Sequence, residues 1–220
     1  PVHTATLDLP ALNWALTRAV GAIRETVDKA GRQVSNVGGW QSHSNLFDYV
    51  EHLRGPAPKL SSALKTLSDL VHGFALETLL RLQQSSSGGG MNGGKADAFE
   101  VRVPAVWANI NLHGHRNTRH THPNCFLSGV YYVDTGMGAP DDTLADRLSS
   151  NRSTYSTSNS SSSPVGGRLL FHDPRDGAKS HPFAKPSVAL QPAPGLMVLF
   201  PSWLPHSVEP HAGHFPRLTV

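Results

Sequence analysis

Apolar residues recur every three or four positions in two stretches of the first third of the chain. Beyond residue 98 they recur in short runs of strand type. Leu12, Leu16, Ala19, Val20, Ile23 and Val27 form one face of a helix that Gly31 can stop. Ser35-Asn36-Val37-Gly38-Gly39-Trp40-Gln41-Ser42 has no such period and reads as a loop. A short helix is expected around Asn45–Leu53, ending before Gly55-Pro56. Leu60, Leu64, Leu67, Val71, Ala75, Leu79 and Leu82 then predict a long amphipathic helix over about residues 59–83. The stretch from Ser85 to Gly94 is almost wholly Ser and Gly. It cannot bury apolar surface and reads as a flexible linker.

From Ala98 the period changes to two. Phe99, Val101 and Val103 alternate with polar residues, and Trp107–Leu112, Phe126–Val133, Arg168–Phe171, Val188–Leu190, Leu196–Phe200 and Leu218–Val220 are short β-type runs. Gly, Pro, Asn and Asp punctuate them, with Pro194-Gly195 as a tight turn. Many short strands of this kind predict a sandwich or a jelly-roll barrel. The expected organisation is a helical segment over 1–84, a Gly/Ser linker over 85–97 and a β domain over 98–220. Within the last, 134–166 is a polar insert with a serine-rich core, expected to be disordered.

Composition narrows the classes. The 220 residues suffice for one domain with a real core. A formal net charge of +3 without a Lys/Arg stripe does not call for nucleic acid. The single cysteine, Cys125, excludes an internal disulfide, so the fold needs no oxidising compartment and an intracellular setting is favoured. No apolar run approaches the ~20 residues that span a bilayer. The chain begins at Pro1 and stops three residues after Arg217, as a piece of a longer product would.

Histidine is plentiful, at 13, and its placement carries the chemistry. His120 and His122 are two apart beside a strand, so their side chains point the same way and can converge on one metal. His206 follows a buried-looking strand and a proline-bounded turn, where a barrel would return a third ligand to the same rim. Imidazole suits iron, copper, nickel and zinc. Arg217 comes eleven positions after His206, at the start of the last strand. An arginine pointing into a barrel needs an anionic partner, and its planar fork matches a carboxylate. Ser128 and Tyr132 share one face of their strand and could each donate to that carboxylate, while Tyr131 faces the other way into core. The layout is that of a non-haem iron site with a socket for an acidic co-substrate. His113 and His115 read as loop residues, and His211 and His214 as exposed turn residues.

Three segments carry a family resemblance: His120–Val133 (HTHPNCFLSGVYYV), Phe171-His172-Asp173-Pro174-Arg175, and Pro194–Pro210 with its PSWLPHSVEP ending. The Gly38-Gly39-Trp40-Gln41-Ser42 loop joins them. Through these the chain resembles the 2-oxoglutarate/Fe(II)-dependent oxygenases, and more distantly the prolyl hydroxylases. The resemblance implies a mainly β fold with an N-terminal α part, a double-stranded β-helix or jelly roll with helices on its outer face. It implies Fe(II) as metal and 2-oxoglutarate as co-substrate, with the distal carboxylate on Arg217 beside Tyr132 and Ser128. It also implies molecular oxygen and a small-molecule or peptide substrate as partners.

That superfamily orders its ligands HxD/E…H, and here His122 stands where the carboxylate would be. Three arrangements compete: His120, His122 and His206 as a three-histidine site; Asp173 as a carboxylate from another strand; or His120 and His206 alone. The first is favoured, because the two-residue spacing already fits and Asp173 reads as the start of an Asp-Pro turn. Two rival functions remain: a three-histidine cupin-type iron dioxygenase that uses no 2-oxoglutarate, and a jelly roll that binds metal or ligand without turnover.

Overall fold

The computed structural model describes residues 2–43, 45–49, 57–86, 100–138, 143, 166–175, 177, 183 and 185–220. The Gly/Ser linker from residue 87, the serine-rich core of the insert, Phe99 and the end of the short helix beyond Tyr49 lie outside them. Eleven strands are described: β1 (His3–Thr6), β2 (Asn36–Val37), β3 (Trp40–Gln41), β4 (Asn109–Asn111), β5 (Arg116–His120), β6 (Leu127–Asp134), β7 (Leu169–His172), β8 (Ser187–Leu190), β9 (Leu196–Pro201), β10 (His206–Val208) and β11 (Arg217–Thr219). They form two antiparallel sheets. The larger runs β1-β9-β6-β11-β4-β3 and the smaller β2-β5-β10-β7-β8.

Helix α1 (Pro10–Thr26) begins with proline, whose fixed φ suits the first helical position. It buries Asn13, Leu16, Ala19, Val20 and Ile23. It stops five residues before Gly31, where the Val27 and Asp28 N–H groups both donate to the Ile23 carbonyl. Helix α2 (Pro58–Ser86) packs Leu64 and Leu67 against the same core. That core lies between the helices and one face of the larger sheet, which contributes Tyr131, Val133, Met197 and Leu218. The alternate residues Tyr132, Val198 and Phe200 point the other way and meet Leu169 and Phe171 of the smaller sheet. The Phe171 and Phe200 rings sit edge to face at 5.0 Å. The larger sheet is thus covered on both faces, which explains the near-continuous apolar run of β9.

Two expectations change. The Ser35–Ser42 segment is not a plain loop: β2 pairs with β5 in the smaller sheet and β3 with β4 in the larger. Gly38 and Gly39, at φ 70° and 74°, turn the chain from one sheet into the other. Val101 and Val103 lie in no strand, and the Trp107–Leu112 run pairs only over Asn109–Asn111. Strand β5 was not predicted, because Arg-Asn-Thr-Arg-His carries no apolar signal. Pro194-Gly195 does turn between β8 and β9, with Gly195 at φ 79° and its carbonyl accepting from Leu7 N–H. No helix among the described residues is long and apolar enough to cross a membrane.

Candidate metal centre

The ends of β5 and β10 bring the first pair of histidines together: His206 and His120 are direct register partners. His122 follows two residues later on an extended segment held by its N–H donating to Ser202 O at 3.0 Å. The Ser202 N–H in turn donates to Phe126 O, and its hydroxyl donates to Cys125 O. The two ligand-bearing loops are therefore fastened to each other. Ring centroids lie 4.3 Å apart for His120 and His206, 4.9 Å for His120 and His122, and 5.0 Å for His122 and His206. One nitrogen from each ring falls within 4.8 Å of the others, and this is the cluster among the described residues that could hold a metal ion.

Hydrogen bonds settle which nitrogens face the centre. His120 Nδ1–H donates to Thr118 O at 2.7 Å, and His206 Nδ1–H donates to Leu204 O at 2.9 Å. A carbonyl only accepts, so Nδ1 carries a proton in both rings and Nε2 is the nitrogen left for a metal. His122 Nε2 lies 3.1 Å from His206 Nε2. Two imidazoles at right angles on one first-row metal, with bonds of about 2.1 Å, would place their nitrogens about 3.0 Å apart. The three-imidazole donor set, and the spacing of the His122–His206 pair, fit a metal such as Fe(II). Burial, with His120 adding to it, pushes His122 down to about 4. Burial also pushes His206 down to about 4; the Leu204 bond opposes this, and the neighbouring histidines reinforce it. Neutral rings with free lone pairs are the form a metal requires. Trp107 stacks on His122 at 5.5 Å and Phe200 meets His206 edge-on at 4.7 Å, walling the rings.

Arg217, Tyr132 and Ser128 lie on the face of the larger sheet that looks toward the smaller one. Thr219 pairs with Tyr132 and Arg217 with Asn111 across the strands. Arg217 is 2% exposed, donates from Nη1 to Gly167 O at 3.0 Å, and leaves Nε buried without a partner. Burial raises the Tyr132 hydroxyl to about 12, and the nearby Arg217 charge pulls against that rise. Ser128 lies four residues back along β6, where its hydroxyl meets Cys125 Sγ at 3.8 Å. Asp173 is not in the cluster. It accepts the Arg175 N–H and pairs with the Arg175 guanidinium at 2.6 Å, which holds its carboxyl down to about 2.

Of the remaining histidines, His113 and His214 are exposed, and His115 accepts from Leu112 N–H through Nδ1. His211 corrects its expectation: it is 2% exposed, donates from Nε2 to Phe215 O, and faces Gly167 beside Arg217. Sequence reasoning also passed over Asn109 and Asn111, whose buried Oδ1 atoms lack partners; Asn111 lies opposite Arg217 and Asn109 opposite Thr219. Two amides at alternate positions inside an apolar run were the signal available.

Three imidazoles at the rim of two antiparallel sheets make a candidate metal site on a mainly β protein. A family model described as "Putative 2OG-Fe(II) oxygenase" matches residues 105–220, over half the chain, and the chain belongs to that family. Fe(II) and 2-oxoglutarate are its metal and co-substrate. Among solved structures the chain is similar to a prolyl hydroxylase in complex with a hypoxia inducible factor oxygen degradation domain peptide fragment from Trichoplax adhaerens. That match has TM-score 0.53 and 14% identity, and covers 99% of this chain and 81% of that one. It is also similar to a Pseudomonas putida prolyl-4-hydroxylase, with TM-score 0.49, 15% identity, and 99% and 88% covered. The first likeness is one of fold. No curated protein sequence matches.

Proposed function

We propose that the protein is an Fe(II)/2-oxoglutarate-dependent dioxygenase, acting as a hydroxylase on a small molecule or peptide. The observation that carries this is the convergence of His120, His122 and His206, with Nδ1 of His120 and of His206 tied to carbonyls and Nε2 left for a metal. In this reading the two sheets are the double-stranded β-helix of the family. Residues 1–84 brace the domain over 98–220, and 85–97 link the two.

Iron and co-substrate together supply the oxidising chemistry when bound. The chain's part is to hold and orient them. The Thr118 and Leu204 carbonyls fix the rotation of His120 and His206. Three neutral imidazoles leave the full charge of a divalent ion uncompensated, which favours a dianionic chelator. Arg217, short of a partner at Nε, would take the distal carboxylate through its fork, with the Tyr132 and Ser128 hydroxyls as further donors. Val198, Phe200 and Phe171 give the space between the sheets apolar walls, and an apolar surround strengthens each of these contacts.

A three-histidine cupin-type dioxygenase without 2-oxoglutarate is the second reading, favoured by His122 in the carboxylate's usual place. Arg217 separates the two, since that chemistry needs no carboxylate anchor. The test is an anaerobic Fe(II) titration with and without 2-oxoglutarate, followed by the metal-to-ligand charge-transfer absorption. The band should grow with 2-oxoglutarate and saturate. Fe(II) binding with no band would give the cupin reading, and no Fe(II) binding would overturn both.

A further inference from the structure

Among the described arginines only two have a buried Nε without a partner, Arg217 and Arg32. The contrast with Arg81, Arg102, Arg168 and Arg175 is sharp, because each of those pairs with a carboxylate. Arg32 forms no ion pair among the described residues, although its main chain is pinned: its N–H donates to Gln41 O and its carbonyl accepts from Asn36 Nδ2. Its guanidinium lies 6.0 Å over the Trp107 ring, and Trp107 stacks on His122. One indole thus neighbours both this cation and a metal-site ring. All three residues are half-buried.

A guanidinium edge shut away from water and left unbonded is costly unless something accepts from it. Side-on, Nε and one Nη match the two oxygens of a carboxylate or phosphate. In the reading above the co-substrate does not fill that place, since one of its carboxylates would go to the metal and the other to Arg217. We propose that Arg32, laid on Trp107, is a specificity-determining residue that grips an anionic group of the substrate, a carboxylate or a phosphate. Trp107 supplies the flat apolar floor beneath that group, and the cation stays on its ring face. The inference rests on the oxygenase reading above and narrows its substrate to an acidic one.

The test uses protein loaded anaerobically with Fe(II) and saturated with 2-oxoglutarate. Three probes are titrated: N-acetylaspartate amide, N-acetyl-O-phosphoserine amide and the neutral N-acetylasparagine amide. Quenching of tryptophan fluorescence is followed, and Trp107→Phe assigns the signal. At least one anionic probe should bind about tenfold or more tightly than the neutral one, and the better anion names the group. That advantage should vanish in Arg32→Gln and survive in part in Arg32→Lys, with 2-oxoglutarate affinity unchanged in both. Equal binding of all probes, or an anion preference that persists in Arg32→Gln, overturns the proposal. So does loss of 2-oxoglutarate binding in Arg32→Gln, which would make Arg32 the co-substrate's anchor. Should Arg32→Gln lose Fe(II) binding through misfolding, Arg32→Lys decides: it must keep Fe(II) and lose part of the preference. Wild-type protein that binds no 2-oxoglutarate would instead sink the reading underneath.

Discussion

The smaller sheet carries His120 and His206, while the larger sheet carries Arg217, Tyr132 and Ser128, and the two are built differently. The larger is covered by helices on one face and by its partner sheet on the other, so β9 is buried along almost its whole length. The smaller has one face toward its partner, and its strands are short, polar or both: β5 is Arg-Asn-Thr-Arg-His and β10 only His206–Val208. The proposed metal ligands His120 and His206 sit on the thin sheet, held by backbone carbonyls. The proposed carboxylate socket sits in the thick one, where Arg217 Nε is buried without a partner. Capture of the metal and capture of the co-substrate should therefore fail separately.

The largest separation expected is at the metal. His206→Ala should abolish tight Fe(II) binding, a loss beyond the roughly 10–100-fold that removing a ligand's hydrogen-bond partner costs. His113→Ala, at an exposed turn, should leave binding near normal. Equal losses in both, measured by anaerobic titration, would break the assignment.

Next comes the socket. Arg217→Ala should weaken 2-oxoglutarate by about 100-fold or more, since a charge-assisted pair is lost and a buried carboxylate is left alone. Fe(II) affinity should hardly move. Lysine at 217 should recover part of the loss by keeping charge without the fork. If alanine weakens metal and co-substrate alike, the two sheets are not independent.

A smaller effect tests the helix-covered face. The Tyr131 hydroxyl donates to Asn13 Oδ1 at 2.6 Å in the core. Tyr131→Phe should cost about 1–3 kcal/mol in urea unfolding, because it leaves a buried acceptor unsatisfied. Fe(II) affinity in the folded protein should be unchanged. A variant that unfolds normally yet binds metal poorly would tie this face to the ligands.

The least effect is expected at the corner that joins the sheets. Burial acts to raise the Asp28 carboxyl, but hydrogen bonds from His43 and from the Gly31 N–H outweigh it and hold the pKa below the usual value. A depressed folded pKa contributes stability above the unfolded value of about 3.9, and that contribution disappears as pH falls through the folded value. Asp28→Asn should lower stability in the neutral region, where the contribution is present, and leave low pH little changed, so that the acid limb flattens. An unaltered acid limb would show that Asp28 does not act this way.

The same division governs what could be read from the chain. Residues 12–27 and 59–83 announce helices because each buries one stripe, and Leu196–Phe200 announces a strand because both its faces are covered. The HxH pair, His206 and Arg217 were legible as chemistry, and the long motifs around them as family. Strand β5 was not, since its pairing depends on β2 and β10 rather than on its own polar side chains. Asn109 and Asn111 hid inside an apolar run. His211 looked like a turn residue, and only the closeness of Phe215 and Gly167 shows it to be interior. Arg32 gave no signal, because its meaning lies in a ring 75 residues away.

The glycine pair that carries the chain between sheets has a consequence for how damage would spread. Gly38 is exposed, a place where substitution is ordinarily harmless, yet a side chain there would run into the His115 ring at a positive φ that already disfavours it. His115 cannot retreat freely: its Nδ1 accepts from Leu112 N–H and its carbonyl accepts from His211 N–H. His211 in turn lies against Gly167, whose carbonyl holds Arg217. A lesion at this surface turn would thus travel inward and surface as a defect in the socket, far from where it was made.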